Sequence, residues 1–289
     1  MLPILFQLGP INIGPIHIAP FPVHSWGVLL MIGFLLGGWR AAKNAGRYGF
    51  KPEDVWDVSL FGLLGGVLGG RLGFVVQEPR FWERPGSMLA IWDGGMAFYG
   101  GLLGGILAGV ITCRIKKMRV ADMADLAAPS LALGYIFGRI GCFLNGCCYG
   151  GVCDLPWAMR FADEHAPGVL TPPSHPAQLY SSIAGLLIFL ALLPLEKHRK
   201  FRGQIMYVFL FLYGLYRFLI EYVRSGASSD SGITHLGITD AQVFSLLLSF
   251  VAAGLYMVYA RRGGGVEITP RTDTDAAPIG GSITPNPSV

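Results

Sequence analysis

Apolar residues along the chain fall in blocks of about 20, separated by polar joints. An α-helix needs about 20 predominantly apolar residues to cross the hydrocarbon core of a bilayer. A soluble protein would break such blocks into amphipathic stripes. The pattern therefore predicts an all-α integral membrane protein with about seven transmembrane helices, over residues 24–40, 56–75, 95–113, 121–143, 178–195, 204–223 and 241–260.

The two ends of the chain lack this pattern. Residues 1–23 are apolar but contain five prolines, which exclude a helix, and they lack the basic start of a signal peptide. We expect them to form an extended segment at the membrane surface. Residues 263–289 are rich in Gly, Pro, Thr and Ser without an apolar period, which predicts a disordered cytoplasmic tail. Between these ends, residues 24–262 are expected to form one seven-helix catalytic domain.

Charged residues cluster between the apolar blocks, and the joints alternate in character. One set is basic: Arg40/Lys43/Arg47/Lys51, Arg114/Lys116/Lys117/Arg119, Lys197/Arg199/Lys200/Arg202 and Arg261/Arg262. The other set is long, mixed in sign and rich in Gly and Pro: residues 76–94, 144–177 and 224–240. Because basic loops stay in the cytoplasm, seven spans predict an outer N-terminus, a cytoplasmic C-terminus and three outer loops.

Composition agrees with a membrane protein and excludes other classes. The chain is 52% hydrophobic and 14% charged, whereas soluble domains carry about 25% charged residues. The net charge of +4 comes from basic loops that topology explains, and no basic stripe interleaved with aromatics predicts binding of nucleic acid. The absence of an internal repeat disfavours an inverted-repeat transporter.

Ionisable residues also occur inside the predicted spans. Arg139 lies in the fourth span, and Arg217 and Glu221 lie in the sixth. Each would cost roughly 2.5–3.5 kcal/mol if it faced lipid at mid-depth, so together they require a protein interior or a water-filled cavity. They either form ion pairs that fix helix packing or mark a functional site, and the second interpretation is the usual one for intramembrane charges.

The charges of the sixth span share one helix face. Arg217, Glu221 and Arg224 stand at i, i+4 and i+7, and Tyr213 lies one turn below them. Two arginines around one carboxylate leave a net positive charge. Because guanidinium groups bind phosphate bidentately, this pattern predicts a site for a phosphate oxyanion.

A glycine-rich stretch, residues 138–150, closes the fourth span at its outer end and contains Arg139 and Asn145. Its glycines permit close backbone approach, and the arginine favours a headgroup site over helix packing alone. The glycines of the second and third spans predict close helix packing. Residues 94–101 are the exception, because Tyr99 stands among these glycines near the outer face.

Other outer ends carry further candidates. Trp26 is typical of an interfacial anchor, and His24 stands beside it at the start of the first span. His175 leads into the fifth span, where a lone histidine acts either as a polar cap or as an acid or base.

Four cysteines lie at the outer side, namely Cys142, Cys147, Cys148 and Cys153, whereas Cys113 lies on the cytoplasmic side. Their spacing is not that of a standard zinc site, so we expect no metal. An oxidising outer compartment permits disulfides, and adjacent cysteines are poor partners, which leaves two of the three connectivities. We expect a disulfide from Cys153 to Cys147 or to Cys142.

Taken together, these segments resemble the prolipoprotein diacylglyceryl transferase family from about His24 to Arg224, with a compatible seventh span. The most specific match is Gly138-Arg139-Ile140-Gly141, followed by Phe143 and Asn145-Gly146. Supporting matches are Gly70-Arg71-Leu72-Gly73, Gly94-Gly95 through Gly100-Gly101, Asp125 before Ala128-Pro129, His175-Pro176-x-Gln178-Leu179-Tyr180, and Arg217-Phe218-x-x-Glu221-x-x-Arg224.

The resemblance implies a multi-pass enzyme of the bacterial cytoplasmic membrane. Such an enzyme transfers the diacylglyceryl group of phosphatidylglycerol to the lipobox cysteine of a prolipoprotein signal peptide, forming a thioether and releasing glycerol phosphate. Both substrates would arrive among the bilayer lipids, and no metal or bound cofactor is implied. A polytopic lipid transporter or flippase with an arginine-lined headgroup cavity is the alternative, although the polar cluster occupies only the outer half.

The resemblance also implies roles for single residues. Arg139 would contact the phosphatidylglycerol headgroup, and Arg217 and Glu221 would take part in the reaction, with Tyr99 and His24 as further catalytic candidates. The residues expected to bind substrate, besides the catalytic arginines, are Arg71, Arg224, Asn145, Gly141, Gly146, Gly100, Gly101, Trp26, Asp125, His175, Gln178 and Tyr180.

The chain departs from the family pattern at four positions. Many members carry His at the position of Tyr99, Asn at Cys142 and Glu at Cys147, and Tyr is usual at Trp26. Tyrosine titrates near pH 10 and is a poor base, so we expect Tyr99 to donate a hydrogen bond. Glu221 and His24 are then the candidate proton acceptors, with Glu221 preferred.

The topology yields the first testable prediction. Reporter fusions after Lys51, Lys117 and Arg202 should all report a cytoplasmic location, because each follows a basic joint. Enzyme reporters that are active on only one side of the membrane measure this directly. An external signal at any of the three would contradict seven spans with an outer N-terminus.

Overall fold

A computed structural model describes residues 2–9, 11–13, 16–18, 21–78, 95–162, 168–224 and 238–262. Within these ranges the chain forms seven helices that are long and apolar enough to cross a membrane, which confirms the predicted fold class. They are α1 (Ser25–Asn44), α2 (Pro52–Gln77), α3 (Phe98–Ile115), α4 (Val120–Asn145), α5 (Ala177–Lys197), α6 (Gln204–Arg224) and α7 (Asp240–Arg261).

Each helix ends one to four residues beyond its predicted apolar span, whereas α1 and α3 begin one and three residues later than predicted. Polar residues extend some of the helix starts. Pro52 occupies the first turn of α2, followed by Glu53 and Asp54, whose charges favour a helix N-terminus. Thr239 and Gln242 form a reciprocal capping box at the start of α7. Hydropathy detects the lipid-crossing part of each helix but not these polar turns.

The N-terminal segment is extended, and its strands pair. The strand β1 (Ile4–Leu8) lies antiparallel to β4 (Phe21–His24), while β2 (Ile11–Ile13) pairs with β3 (Ile16–Ile18). The backbone amide of Ser25 donates to the carbonyl of Pro3 at 3.0 Å, so the hairpin is attached to the start of α1.

The helix α4 is the centre of the bundle, since it packs against α1, α5 and α6. The helices α2 and α3 form the closest pair. We call the end at which α1 begins and α2, α4 and α6 finish the outer end. The predicted loops 76–94 and 224–240 lie largely outside the described residues, and the tail 263–289 lies wholly outside them.

Ion pairs hold the opposite, inner end together. The guanidinium of Arg199, in the joint between α5 and α6, pairs with Asp122 and with Asp125, the latter at 2.7 Å. Arg40 on α1 pairs with Glu196 on α5. The basic joint after α5 therefore binds to α4 through ion pairs, in addition to its predicted effect on the orientation of the helices in the membrane.

Glycines let the backbones of α2 and α3 touch. A Cβ added at Gly69 would lie 2.4 Å from the carbonyl oxygen of Gly100 and 2.8 Å from the Cα of Gly104. Even a methyl group would therefore force the two helices apart. This confirms the interpretation of these glycines as packing residues.

We predict that Gly69→Ala lowers stability by about 1–3 kcal/mol, the usual penalty of overpacking. Gly62→Ala is the matched control on the same helix, because its Cβ would meet nothing closer than 3.8 Å. Thermal unfolding of both variants in detergent measures the difference. Equal melting temperatures would show that α2 and α3 do not interlock at Gly69.

Candidate active site

Three arginines converge at the outer end of the bundle. Arg139 projects from the last third of α4, and Arg217 and Arg224 project from the second half of α6. The hydroxyl of Tyr213 lies within electrostatic reach of all three guanidinium groups. The structure thus brings together the signature arginine and the arginines of the sixth span, as the sequence analysis expected.

Arg139 makes a cation–π contact with a tyrosine instead of an ion pair with a carboxylate. Its guanidinium carbon stands 5.0 Å from the ring centroid of Tyr135, one helical turn earlier. The Tyr135 hydroxyl donates to that of Tyr216 at 3.2 Å, and Tyr216 donates to Ser181. Across the described ranges no carboxylate pairs with Arg139. Its positive charge is therefore available to an anionic ligand.

Arg217 is held by Glu221, one turn further along α6. The Glu221 side chain is fully buried, and Thr239 at the start of α7 donates to its second oxygen at 3.3 Å. The Arg217 side chain remains 20% exposed. The carboxylate therefore orients the guanidinium from the protein side and leaves its other face accessible.

Arg224 ends α6 and is half-buried. Its Nε atom is buried and has no hydrogen-bond partner among the residues that the structure describes. A buried donor without a partner is unfavourable unless a ligand or water satisfies it. This donor is a second indication that an anion binds here.

Arg71 is fully buried on α2, where it bonds to the backbone just before α3. It donates to the carbonyl of Gly95 at 3.2 Å and lies 5.8 Å from the ring centroid of Phe74. The hydrogen bond holds the chain just before α3. In the contacts described, Arg71 therefore positions the backbone at Gly95.

The glycine-rich end of α4 is shaped by close contact and by a tight turn. A Cβ at Gly141 would stand 3.2 Å from the Cα of Trp26, so α1 and α4 touch here. The helix ends at Asn145, and Gly146 adopts the left-handed conformation (φ 85°) that reverses the chain. These residues lie between about half a turn and two turns beyond Arg139.

The segment before α5 closes the same end of the bundle. Gln178 is fully buried and donates to the carbonyl of Cys147 at 2.7 Å. The hydroxyl of Tyr180 accepts from Trp157 at 2.7 Å and lies 3.4 Å from Nδ1 of His175. Gln178 therefore fixes the signature loop, while Tyr180 and His175 form a neighbouring polar pair.

Other predicted site residues do not join this cluster. Gly100 and Gly101 face α2, where each contributes to the helix crossing. Tyr99 is 65% exposed and contacts the ring of Phe98, and His24 is exposed at the start of α1. Within the described ranges, neither side chain contacts an arginine of the site.

The cysteines contradict the disulfide that the sequence analysis expected. All five are free. The sulfur atoms of Cys142, Cys147 and Cys148 instead lie within 4.8 Å of one another, without Cys153. Hydrogen bonds from Cys142 and Cys147 lower the pKa of the Cys148 thiol, and the charges of two site arginines lower it further.

Comparison with known proteins agrees with this geometry. The family model for prolipoprotein diacylglyceryl transferase matches residues 14–259. The chain belongs to the prolipoprotein diacylglyceryl transferase family. Among similar proteins, the phosphatidylglycerol–prolipoprotein diacylglyceryl transferase of Marinomonas sp. is 36% identical over 85% of this chain and 93% of its own. The protein of the same name from Geobacter sulfurreducens is 33% identical over 91% of this chain and 97% of its own. That of Aeromonas salmonicida is 36% identical over 89% of each chain.

Family membership does not place every motif residue in the site. Asp125, predicted to bind substrate, lies about 21 Å from Arg139 along α4, at 1.5 Å per residue. It is fully buried at the inner end, where it pairs with Arg199 and accepts from the amides of Gly203 at 2.7 Å and Met206 at 3.0 Å. These contacts stabilise the inner end of the bundle, away from the arginines, and the role of Asp125 in substrate binding stays a prediction.

Sequence reasoning missed the polar partners beneath the arginines. Tyr135, Tyr216 and Ser181 form a hydrogen-bonded row across three helices, and Thr239 completes the environment of Glu221. Only Tyr135 left a readable signal, because it precedes Arg139 by four positions on one helix face. The others come from distant segments that hydropathy does not relate to each other.

We predict that Asp125→Ala lowers the free energy of unfolding by about 3–5 kcal/mol, because it removes one of the two carboxylates that pair with the buried Arg199 and also the acceptor of two backbone amides. The exposed Asp154 provides a matched control, since Asp154→Ala removes a carboxylate in contact with solvent. Thermal unfolding compares the two. Normal binding of phosphatidylglycerol by the folded fraction of Asp125→Ala would limit Asp125 to a structural role, whereas a selective loss of that binding would support its predicted role in substrate binding.

Proposed function

We propose that the chain transfers the diacylglyceryl group of phosphatidylglycerol to the lipobox cysteine of prolipoproteins, at the outer face of the bacterial cytoplasmic membrane. The sulfur attacks the glycerol carbon that bears the phosphate. A carbon–sulfur bond forms, the carbon–oxygen bond breaks, and glycerol phosphate leaves. The observation that carries the proposal is the half-buried guanidinium of Arg139, which pairs with no carboxylate in the described part of the chain.

The charge of the site suits the reaction. The three arginines and Glu221 together carry two net positive charges. The phosphodiester of the lipid has one negative charge, whereas the released phosphate monoester carries about 1.5 to 2 at neutral pH. The site therefore stabilises the leaving group more than the bound lipid, which is the condition for accelerating the displacement.

The same positive charge favours the nucleophile. A free cysteine thiol titrates near pH 8.5, and only its thiolate is strongly nucleophilic. Nearby cations lower a thiol pKa because they stabilise the anion. The arginines would therefore promote loss of the prolipoprotein thiol proton. Glu221, which accepts from Arg217 and Thr239, would either accept the thiol proton or orient Arg217 while the proton passes to water.

Both substrates are embedded in the bilayer, and the helices allow lateral access. Apolar side chains cover the outward faces of α2, α3 and α5, among them Leu68, Leu103 and Leu187, each at least half exposed. In a bilayer these faces contact lipid tails. A phospholipid would then approach with its acyl chains along the helices and its headgroup at the level of the arginines.

The activity is tested by incubating the purified protein with phosphatidylglycerol and a synthetic lipobox peptide. Mass spectrometry should show the peptide increased by one diacylglyceryl group, and released glycerol phosphate should appear in equal amount. A peptide with serine in place of cysteine is the control. An unmodified cysteine peptide, with protein shown to be folded, would contradict the proposal.

We predict that Arg139→Ala reduces the rate of transfer by at least about a hundredfold, as loss of a main anion-stabilising group does. Arg217→Lys should also be damaging, because an ammonium group cannot reproduce the planar fork of a guanidinium. Arg160→Ala is the matched control, since Arg160 is exposed in the loop before α5. Near-normal transfer by Arg139→Ala would refute the headgroup assignment.

A further inference from the structure

Three thiols meet where α4 ends. The sulfurs of Cys142, Cys147 and Cys148 lie within 4.8 Å of one another, and each residue is partly buried. None of them is required by the transfer reaction, because its nucleophile belongs to the prolipoprotein. This cluster, which we call the thiol triad, is therefore a feature that the proposed function does not explain.

A helix-terminating turn builds the triad. The left-handed Gly146 reverses the chain, and the amide of Cys147 then donates to the carbonyl of Cys142 at 3.2 Å. This is the 6→1 hydrogen bond of a Schellman motif. It brings two residues that are five apart in sequence onto the same side of the helix end, so their sulfurs face each other.

Cys148 reaches the triad through an unusual backbone conformation. Its φ is 62°, in the left-handed region that residues other than glycine rarely adopt. Such a conformation persists only where surrounding contacts impose it, and it is typical of functional sites. Here it directs the third sulfur back toward the other two instead of continuing the chain outward.

The surrounding structure holds this turn from two sides. Gln178 of α5 donates to the carbonyl of Cys147 at 2.7 Å. The amides of Gly150 and Gly151 donate to His175 at 2.9 Å and to Val223 at the end of α6 at 2.8 Å. The sulfurs are thus carried by a braced loop, which is the support that a preorganised binding site requires.

We propose that the thiol triad binds one thiophilic d10 metal ion, Zn²⁺ or Cu⁺, through its three sulfur atoms. Thiolates are the preferred ligands of both ions. With metal–sulfur bonds of about 2.3 Å, neighbouring sulfurs in a tetrahedral site stand about 3.8 Å apart. The three sulfurs lie within 4.8 Å of one another, which leaves them close enough to share one ion after small side-chain movements, and none of them is in a disulfide.

The charge of the neighbourhood also suits such a complex. Three thiolates around a divalent ion leave one net negative charge, and around a monovalent ion two. Arg139 and Arg224 lie within electrostatic reach of Cys148 and would offset this charge. The metal site proposed here does not depend on transferase activity, because its ligands and its geometry belong to the folded chain alone.

The first test uses the wild-type protein, purified in detergent with its thiols reduced. It is titrated with Co²⁺ as a spectroscopic substitute for Zn²⁺, and separately with Cu⁺ in competition with a colorimetric chelator. We expect one ion per chain and, for Co²⁺, sulfur-to-metal charge-transfer absorption that Zn²⁺ displaces. Binding in one of the two titrations identifies the ion, and the absence of binding in both overturns the proposal.

Alkylation with a maleimide, followed by peptide mass spectrometry, locates the ligands. The bound metal should protect the three triad cysteines, whereas Cys153 should be labelled equally with and without metal. Equal protection of Cys153, or no protection of the triad, would refute the site. A disulfide between two triad cysteines in protein isolated without reductant would also refute it.

Single variants complete the test. Cys142→Ser, Cys147→Ser and Cys148→Ser should each weaken metal binding by at least about a hundredfold, beyond the tenfold to hundredfold that loss of an outer-shell partner causes. Cys153→Ser and Cys113→Ser are the matched controls and should bind normally. Unchanged binding by the triad variants would overturn the proposal, and the wild-type alkylation remains decisive if a variant fails to fold.

Discussion

A guanidinium group inside a membrane protein must be solvated by the protein, and the whole outer end of this bundle is arranged around that requirement. Arg139 stands over the ring of Tyr135, whose hydroxyl continues through Tyr216 to Ser181 on a third helix. Aromatic rings and hydroxyls lower the cost of burying the cation without neutralising it. The charge therefore remains available to a phosphate.

The two ends of the bundle treat charge in opposite ways. At the inner end Arg199 is neutralised by Asp122 and Asp125, which joins α4 to the segment before α6. In the cluster of described residues at the outer end, the three arginines Arg139, Arg217 and Arg224 share one paired carboxylate, that of Glu221. Neutralised buried pairs fix an arrangement of helices, whereas an excess of one sign attracts a ligand of the other. The arginines that are fully paired with carboxylates therefore lie at the end that has a structural role, and those with unpaired charge lie at the end that binds a ligand.

Rigid packing supplies the frame on which this contrast depends. The glycine crossing of α2 and α3 leaves no room for side chains between the backbones, as the 2.4 Å approach at Gly69 shows. A second close contact joins Gly141 to Trp26 beside the signature arginine. Because both contacts use backbone atoms, they cannot yield by changing a rotamer. The arginines therefore project from helices whose positions are fixed. Such preorganised groups can stabilise the charge that develops in a transition state without first having to rearrange.

The sequence by itself determined the seven helices, because the length of each apolar block is set by bilayer thickness and needs no tertiary information. It also indicated Arg139, Arg217 and Glu221, since a charge in an apolar span is costly wherever it points. Only the tertiary structure decided their partners, moved Asp125 to the inner end and gathered three cysteines without Cys153. These outcomes depend on helix packing and on one left-handed turn at Gly146, which bring together groups whose spacing along the chain carries no such signal.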